Sequence, residues 1–246
     1  MSPFLRRFVP ISMDSITQGI LRAFELIFHL NAELFGIILL SLKVSGIALI
    51  VATLAGIPIG ALLGLRTFPG RGLAVSAMNT FMGLPPVVVG LFVYLLLSRK
   101  GPFGFMGLLY TPGAMIIAQT ILAIPIVISL SRSAIVNVDP LIRQAAETLG
   151  ATRGQVTMTI IQEARYGILS AVIAAFGRVM AEVGAILIVG GNIAGYTRVM
   201  TTTIALETDK GNFELALALG IILLAISFIV NAALHAVQRK GMVQAL

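Results

Sequence analysis

The chain has 246 residues, of which 58% are hydrophobic and only 11% are charged. A soluble globular domain carries about 25% charged residues, so this composition excludes a soluble protein and indicates one that the bilayer surrounds. The formal net charge of +7 is typical of Arg and Lys in short cytoplasmic loops rather than of a nucleic-acid-binding surface. The absence of cysteine excludes disulfides, thiolate metal sites and a cysteine nucleophile.

Residues 1–33 are predicted to form an N-terminal tail with an amphipathic helix that lies on the membrane surface. Apolar side chains recur at helical spacing in its second half, while Arg22, Glu25 and His29 interrupt the apolar run. A short, degenerate first span is the alternative interpretation. Because the N-terminus lacks the apolar core of a cleavable signal, we expect the first membrane segment to be retained.

Residues 34–246 are predicted to form one all-α membrane domain with about five transmembrane helices. A helix needs about 20 apolar residues to cross the bilayer core, and five long runs with few charges meet this requirement. The charge near the start of the first run, Lys43, is expected to reach the outer interface with its long side chain. The predicted spans are residues 34–65, 72–98, 114–131, 166–189 and 215–238.

Two of these spans contain residues that affect helix packing or continuity. Gly56, Gly60 and Gly64 recur every four residues in the first span, a spacing that allows another helix to approach closely. Pro85 and Pro86 fall in the middle of the second span, where their missing N–H groups interrupt the backbone hydrogen bonds. We therefore predict close packing on the first span and a kink in the second, either beside a pathway or as a simple packing feature.

Between the third and fourth spans the chain is predicted to leave the membrane as a helix–turn–helix. Asp139 and Pro140 form an N-cap followed by proline at the first helical position, and Gly150 is a typical left-handed stop. Thr152 and Gln155 have the spacing of a capping box that begins a second helix. The alternative is an ordinary structured loop, whereas a motif that reads DNA is not expected between membrane spans.

The segment from Gln144 to Ala151 resembles the EAA loop of binding-protein-dependent ABC importers. It has Gln144 where the family usually has Glu, Gly150 at the family's glycine, and Ile-Gln-Glu-Ala at 161–164 where the family often has Ile-x-Leu-Pro. The resemblance implies that the loop at 132–165 docks on a separate ATPase subunit. The coupling residues that it implies are Arg143, Gln144, Ala145, Ala146, Glu147, Leu149 and Gly150.

The region that follows makes the resemblance narrower. Residues 176–185, 189–198 and 199–208 resemble the permeases of molybdate, sulfate and above all tungstate importers, and the likeness extends over about residues 39–234. It implies a type I ABC importer permease that acts as a homodimer in a bacterial or archaeal cytoplasmic membrane. ATPase subunits that hold ATP and Mg²⁺, and an external oxyanion-binding protein, are the implied partners. The chain itself is expected to bind no cofactor and no metal.

The resemblance, and not the distribution of basic residues, indicates on which side of the membrane each loop lies. A cytoplasmic coupling loop and five spans place the N-terminus outside and the C-terminus inside. This orientation puts eight basic residues inside and seven outside, a difference too small to discriminate between the two orientations.

The fourth span carries two charges four residues apart, which would share one helix face. They either form a salt bridge that eases insertion, or line the pathway and hold the inner gate closed. After this span comes a polar strip whose hydroxyl and amide groups could replace part of an oxyanion's water shell, with an ordinary external loop as the alternative. The candidate pathway or gate residues are Arg178, Glu182, Asn192, Thr197, Thr201 and Thr202.

The sequence contains no P-loop and no convincing set of catalytic residues, so we expect a permease rather than an enzyme. Two functional classes are considered: an ABC importer permease and an ion-coupled secondary transporter. The second class often shows inverted repeats and acidic residues at mid-membrane, and no such repeat is evident in this chain. The tungstate permeases that the chain resembles lack the extra first span of many molybdate permeases, so the resemblance implies tungstate; molybdate, which is nearly identical in size and charge, and sulfate or another oxyanion are the alternatives.

Overall fold

The structure, a computed structural model, describes residue 21 and residues 32–243. The predicted amphipathic helix therefore lies outside the described residues except at one position. Residues 32–243 contain ten α-helices and one 3₁₀ helix (Gly104–Met106) and, in this part of the chain, no strand. The α-helices are α1 (Ala32–Leu65), α2 (Arg71–Phe81), α3 (Pro86–Leu97), α4 (Pro112–Val136), α5 (Pro140–Thr148), α6 (Arg153–Glu163), α7 (Arg165–Met180), α8 (Gly184–Gly190), α9 (Met200–Asp209) and α10 (Phe213–Val243).

Three helices in the described part are long and apolar enough to cross a membrane. They are Leu34–Leu65 within α1, Pro112–Val136 (α4) and Phe213–Ala233 within α10. These helices confirm the first, third and fifth predicted spans. The number rises to five if each of two bent helix pairs, α2 with α3 and α6 with α7, is one span.

The second predicted span is interrupted at its proline pair, as predicted, and α2 and α3 meet there at an angle of 103°. The residues between them include Gly83 and Pro85, and Pro85 is extended, with φ −64° and ψ 123°. Pro86 begins α3 at a position where a missing N–H group removes no helical hydrogen bond. The predicted kink is thus a sharp turn, which forms either a broken span or a re-entrant loop.

The fourth predicted span, residues 166–189, is wrong as one continuous helix. Its first part is α7, which ends at Met180, and the short helix α8 begins only at Gly184. The three intervening residues carry Glu182, one of the two charges noticed in the sequence. At this break the N–H groups of Ala181 and Glu182 still bond to backbone oxygens of α7, whereas the Ala185 N–H bonds to a side chain, as described below.

The close packing predicted for the glycines of α1 is confirmed by the contact between α1 and α4. A Cβ atom on Gly56 would lie 2.8 Å from Val127 Cγ1, and one on Gly60 would lie 2.8 Å from the backbone oxygen of Ile128. Only residues without a side chain permit this separation. α3 and α8 meet in the same way, since a Cβ atom on Gly90 would lie 2.7 Å from Ala185 Cα.

The outside of the bundle is apolar. Leu54 is 71% exposed on α1, and Leu224 and Phe228 are 70% and 74% exposed on α10. Contiguous apolar surface of this kind needs a cover other than water. Lipid and a second protein chain are the covers available to a helix that crosses a membrane.

Candidate coupling loop and pathway

The loop between α4 and α7 has the capped helix–turn–helix predicted from its sequence. The Asp139 carboxylate accepts a hydrogen bond from the Leu141 N–H at 2.9 Å, with Pro140 at the first position of α5. The backbone N–H of Thr152 donates to Gln155 Oε1 at 2.7 Å and the N–H of Gln155 to Thr152 Oγ1 at 3.4 Å, which completes the capping box of α6. Gly150, with φ +81°, makes the left-handed turn between the two helices. The helix ends in this loop are therefore determined by capping residues close to them in the sequence.

One side of the loop is attached to the bundle. Val156 and Ile160 of α6 are buried against Ile135 of α4 and Ile168 of α7, and Ala146 of α5 packs on the same cluster. This contact fixes the orientation of α5 relative to the membrane helices. A displacement of α5 would thus move α4 and α7 as well, because the three helices share this cluster.

The other side of α5 presents large apolar side chains to solvent. Leu141 is 65% exposed and Leu149, just after the helix, is 88% exposed. Arg143 Nε and Glu147 Oε1 lie 3.0 Å apart, but both side chains are more than half exposed, so this pair contributes little stability. Of the remaining predicted coupling residues, Gln144 and Ala145 are also exposed. This face of α5, defined by Leu141, Gln144, Ala145 and Leu149, is called the docking face below.

Arg178 and Glu182 do not form the predicted salt bridge, since no ion pair joins them in the described part of the chain. They do not share a helix face either, because α7 ends between them at Met180. Glu182 is only 4% exposed, and its Oε1 atom accepts a hydrogen bond at 3.0 Å from the Ala185 N–H in the first turn of α8. The carboxylate thus satisfies a free N–H group at the α7–α8 break.

We predict that Glu182→Leu destabilises the break and that Glu182→Gln does so much less. Leucine leaves the buried Ala185 N–H without an acceptor, which costs about 1–3 kcal/mol, whereas the glutamine amide oxygen can still accept the hydrogen bond. Thermal unfolding of the purified chain measures the difference. Recovery of wild-type stability by the exchange Arg178→Glu with Glu182→Arg, relative to Glu182→Arg alone, would show that the two charges are paired after all.

Gln119 in the first half of α4 supports the same break, and it was not among the site residues predicted from the sequence. Its Nε2 atom donates to the backbone oxygen of Val179 at 3.1 Å and to Ser45 Oγ at 3.4 Å. Its Oε1 atom is buried without a protein partner among the described residues. Beside it lies a cavity of about 10 Å³, also lined by Ser41 and Thr201, which is about the space of one water molecule. An amide in the middle of an apolar run was the available signal, because polar groups within a span seldom lack a specific role.

The polar strip after α8 is buried and bonded to the backbone. Thr197 is fully buried; its hydroxyl donates to the Gly190 oxygen at 2.5 Å and accepts from the Ile193 N–H at 2.9 Å. Thr201 donates to the backbone oxygen of Glu182 at 2.9 Å. These bonds join the strip to the end of α8 and to the α7–α8 break. The geometry favours the structured-loop interpretation for these two hydroxyls.

The other two residues of the strip also contact backbone. The Thr202 hydroxyl donates to the Val199 oxygen at 3.0 Å and accepts from the Val199 N–H at 3.1 Å. Asn192 has the left-handed φ of +50°, and its Nδ2 atom lies 3.5 Å from the Thr202 oxygen. A role of the strip in the pathway stays a prediction.

Thr197→Val is predicted to destabilise this loop, while Thr197→Ser should not. Valine has nearly the same shape but leaves the Gly190 oxygen and the Ile193 N–H without their partner, at a cost of about 1–3 kcal/mol for each unsatisfied group. Serine keeps both hydrogen bonds. Limited proteolysis of the loop, compared between the two variants, measures the effect. Equal protection of both variants would show that the hydroxyl is not what holds the loop.

A charged network closes the turn between α9 and α10. Lys210 Nζ lies 2.7 Å from Glu207 Oε1, and Asn212 Nδ2 donates to Glu207 Oε2 at 3.0 Å. The hydrogen bond from Lys210 above all, then that from Asn212, holds the pKa of Glu207 below its usual range, and the charge of Arg198 adds to this effect. Arg198 therefore lies within electrostatic reach of Glu207.

The described part of the chain is an apolar helical bundle with a capped helical loop, which places the protein in the class of helical membrane proteins. Residues 56–241 match the family described as "Binding-protein-dependent transport system inner membrane component", and the chain belongs to this family. It is accordingly an inner-membrane permease component of an ABC transport system and not an enzyme.

Curated relatives are similar over most of their length. The chain is 47% identical over 204 residues to a probable anion ABC transporter permease protein of Haloferax volcanii, covering 81% of this chain and 88% of the relative. It is 42% identical over 228 residues to the tungstate uptake system permease protein TupB of Peptoclostridium acidaminophilum, covering 93% of this chain and all (100%) of the relative. A molybdenum transport system permease protein, ModB of Escherichia coli, is 35% identical over 204 residues, which are 78% of this chain and 88% of ModB.

Solved structures show the same fold. The structure resembles a chain of a bacterial ABC transporter involved in the import of the acidic polysaccharide alginate, with a TM-score of 0.72 and 17% identity over 95% of this chain and 90% of that one. It also resembles a chain of the inward-facing MetNI methionine ABC transporter, with a TM-score of 0.65 and 18% identity over 82% of this chain and 92% of that one. The predicted fold class, that of a type I ABC importer permease, is confirmed.

Proposed function

We propose that the chain is the permease of an ATP-driven importer of tungstate or molybdate. The observation that carries the substrate class is the 42% identity to a tungstate uptake permease over the whole length of that relative. The relatedness to a molybdenum permease at 35% identity fits the same class, because molybdate and tungstate are nearly the same in size and charge.

The proposed machine has three kinds of partner. In the homodimer, two ATPase subunits bind the docking faces of the two copies. They hold ATP and Mg²⁺, for which this chain has no P-loop. An external binding protein delivers the oxyanion and supplies most of the selectivity. A second copy of the chain completes the pathway at the two-fold axis, and ATP binding alternates the side to which this pathway is open.

Reconstitution of the chain with its ATPase and its binding protein in liposomes tests the proposal. We expect tungstate uptake that requires ATP and both partners, that molybdate inhibits strongly and that sulfate inhibits less. Sulfate as the preferred substrate would move the function to another oxyanion. Uptake by the chain alone, driven by an ion gradient, would instead assign it to the secondary transporters.

A further inference from the structure

A crevice with a basic lining lies between the first half of α1 and the loop that connects α8 and α9. Its volume is about 370 Å³. One wall is a face of α1 with Gly36, Leu39, Leu40 and Lys43, which recur at helical spacing. The loop supplies a further part of the lining. The described residues around the crevice are Gly36, Ile37, Leu39, Leu40, Lys43, Gly195, Tyr196 and Arg198, and none of them is acidic.

Lys43 brings an unneutralised charge to this crevice. Its side chain is exposed, and it makes no ion pair within the part of the chain that the structure describes. The residue sits on α1, within Leu34–Leu65, the longest candidate membrane span among the described residues. An ammonium group in such surroundings is costly unless it meets water or an anionic partner.

Arg198 brings a second cation whose hydrogen-bonding capacity is largely unused. Its Nε atom is buried and has no partner among the described residues. One terminal nitrogen makes a long contact of 3.5 Å with the Asn192 oxygen. Since a guanidinium group has five N–H donors in a planar fork that matches oxyanions, several donors stay available.

The nearby carboxylate of Glu207, on which the charge of Arg198 acts, is hydrogen-bonded to other groups. Both of its oxygens are already bonded, to Lys210 at 2.7 Å and to Asn212 at 3.0 Å. Glu207 also lies outside the set of residues that line the crevice. Lys43 and Arg198 therefore line a space whose described lining contains no carboxylate.

We propose that this crevice binds a tetrahedral oxyanion group held between Lys43 and Arg198. The Tyr196 hydroxyl is a further donor in the lining, and the wall of Leu39 and Leu40 suits the apolar part of a ligand. Two sources carry this chemistry: the phosphate of a lipid headgroup, with its acyl chains along α1, or a free oxyanion. The second source rests on the proposed function, whereas the first does not.

The test uses the full chain purified in a maltoside detergent, which carries no phosphate, at low ionic strength. Native mass spectrometry with phosphatidylglycerol measures the lipid source, and equilibrium dialysis with radioactive tungstate and with inorganic phosphate measures the free source. The variants are Lys43→Gln, Arg198→Gln and the double variant. Lys100→Gln is the matched control, because it removes one exposed lysine from the loop between α3 and α4, away from the crevice.

Each single variant is expected to weaken binding about tenfold and the double variant by more, since hydrogen bonds to charged groups are strong. If the variants bind phosphatidylglycerol more weakly than the wild type does, the crevice is a site for a lipid headgroup. If they bind tungstate or phosphate more weakly in the dialysis measurement, it is a site for the free oxyanion. Lys43→Gln lies on an exposed part of α1, so its result does not depend on the fold of the Arg198 loop.

The proposal is overturned if neither ligand binds, if the double variant binds both as the wild type does, or if Lys100→Gln weakens binding equally. A failure of ATP-driven tungstate uptake in reconstituted liposomes would instead count against the proposed function. The lipid measurement would still stand in that case.

Discussion

Leu149→Glu is expected to abolish ATP-driven uptake and to release the ATPase subunit from the permease. Leu149 is 88% exposed at the end of α5 and Leu141 is 65% exposed on the same face. Exposed apolar side chains on a loop outside the membrane mark a surface that a partner covers. A glutamate buried in that interface would lose the apolar contact and add an unpaired charge, which costs about 2 kcal/mol or more, roughly a thirtyfold loss of affinity. Co-purification of the ATPase on size-exclusion chromatography, together with uptake, measures both effects.

Two further variants separate the docking face from a general effect of charge. Leu149→Met keeps an apolar side chain and should co-purify and transport normally. Gln162→Glu adds the same negative charge to an exposed position near the end of α6, in the same loop but outside the docking face, and should also be near normal. If Leu149→Glu retains the ATPase and full uptake, the coupling face lies elsewhere on the loop.

The coupling loop could be predicted closely from sequence because its determinants are local. Asp139, Gly150 and the Thr152–Gln155 box each act within a few residues of their own position. Such capping rules depend little on tertiary packing. The loop's exposed face, by contrast, became visible only when the structure showed which of its apolar residues pack on α4 and α7.

The breaks in the second and fourth spans could be predicted only in part. Pro85 and Pro86 signalled the first one, but not its angle of 103° or the close contact of α3 with α8 at Gly90. The break between α7 and α8 contains no proline that would predict it from the sequence. Its determinants are Gln119 from α4 and the Glu182 carboxylate, whose roles arise from contacts between distant parts of the chain. Periodicity in a single segment does not contain that information.

The expectation that Arg178 and Glu182 share a helix face was wrong for the same reason. A spacing of four residues places two side chains together only if the helix between them is continuous. Once α7 ends at Met180, the carboxylate is free to bind the first turn of α8 instead. The charge that looked like half of an ion pair is thus a structural element of the break, and any role in gating would act through that break.

Gly60→Val is expected to destabilise the bundle strongly, because it forces α1 away from α4. The added Cβ atom alone would lie 2.8 Å from the Ile128 oxygen and 3.2 Å from Ser131 Cβ. Backbone on α4 cannot move aside as a flexible side chain can, so α1 and α4 must separate along the contact that also includes Gly56 and Gly64. Overpacking typically costs about 1–3 kcal/mol, and the clash with backbone puts this site near the upper value, about 3 kcal/mol. For a chain of this size, such a loss corresponds to a decrease in Tm of roughly 6 to 12 °C.

Gly46→Val is the matched control, because Gly46 lies on the same helix and a Cβ atom there would meet nothing within 4 Å. Both substitutions place the same β-branched residue in α1 and change its helix propensity equally. The difference in Tm between the two variants therefore isolates the contact with α4 from any effect on α1 itself. Equal thermal stability of the two variants in detergent would mean that the bundle tolerates separation of α1 from α4, and that the glycine spacing in α1 serves something other than close packing.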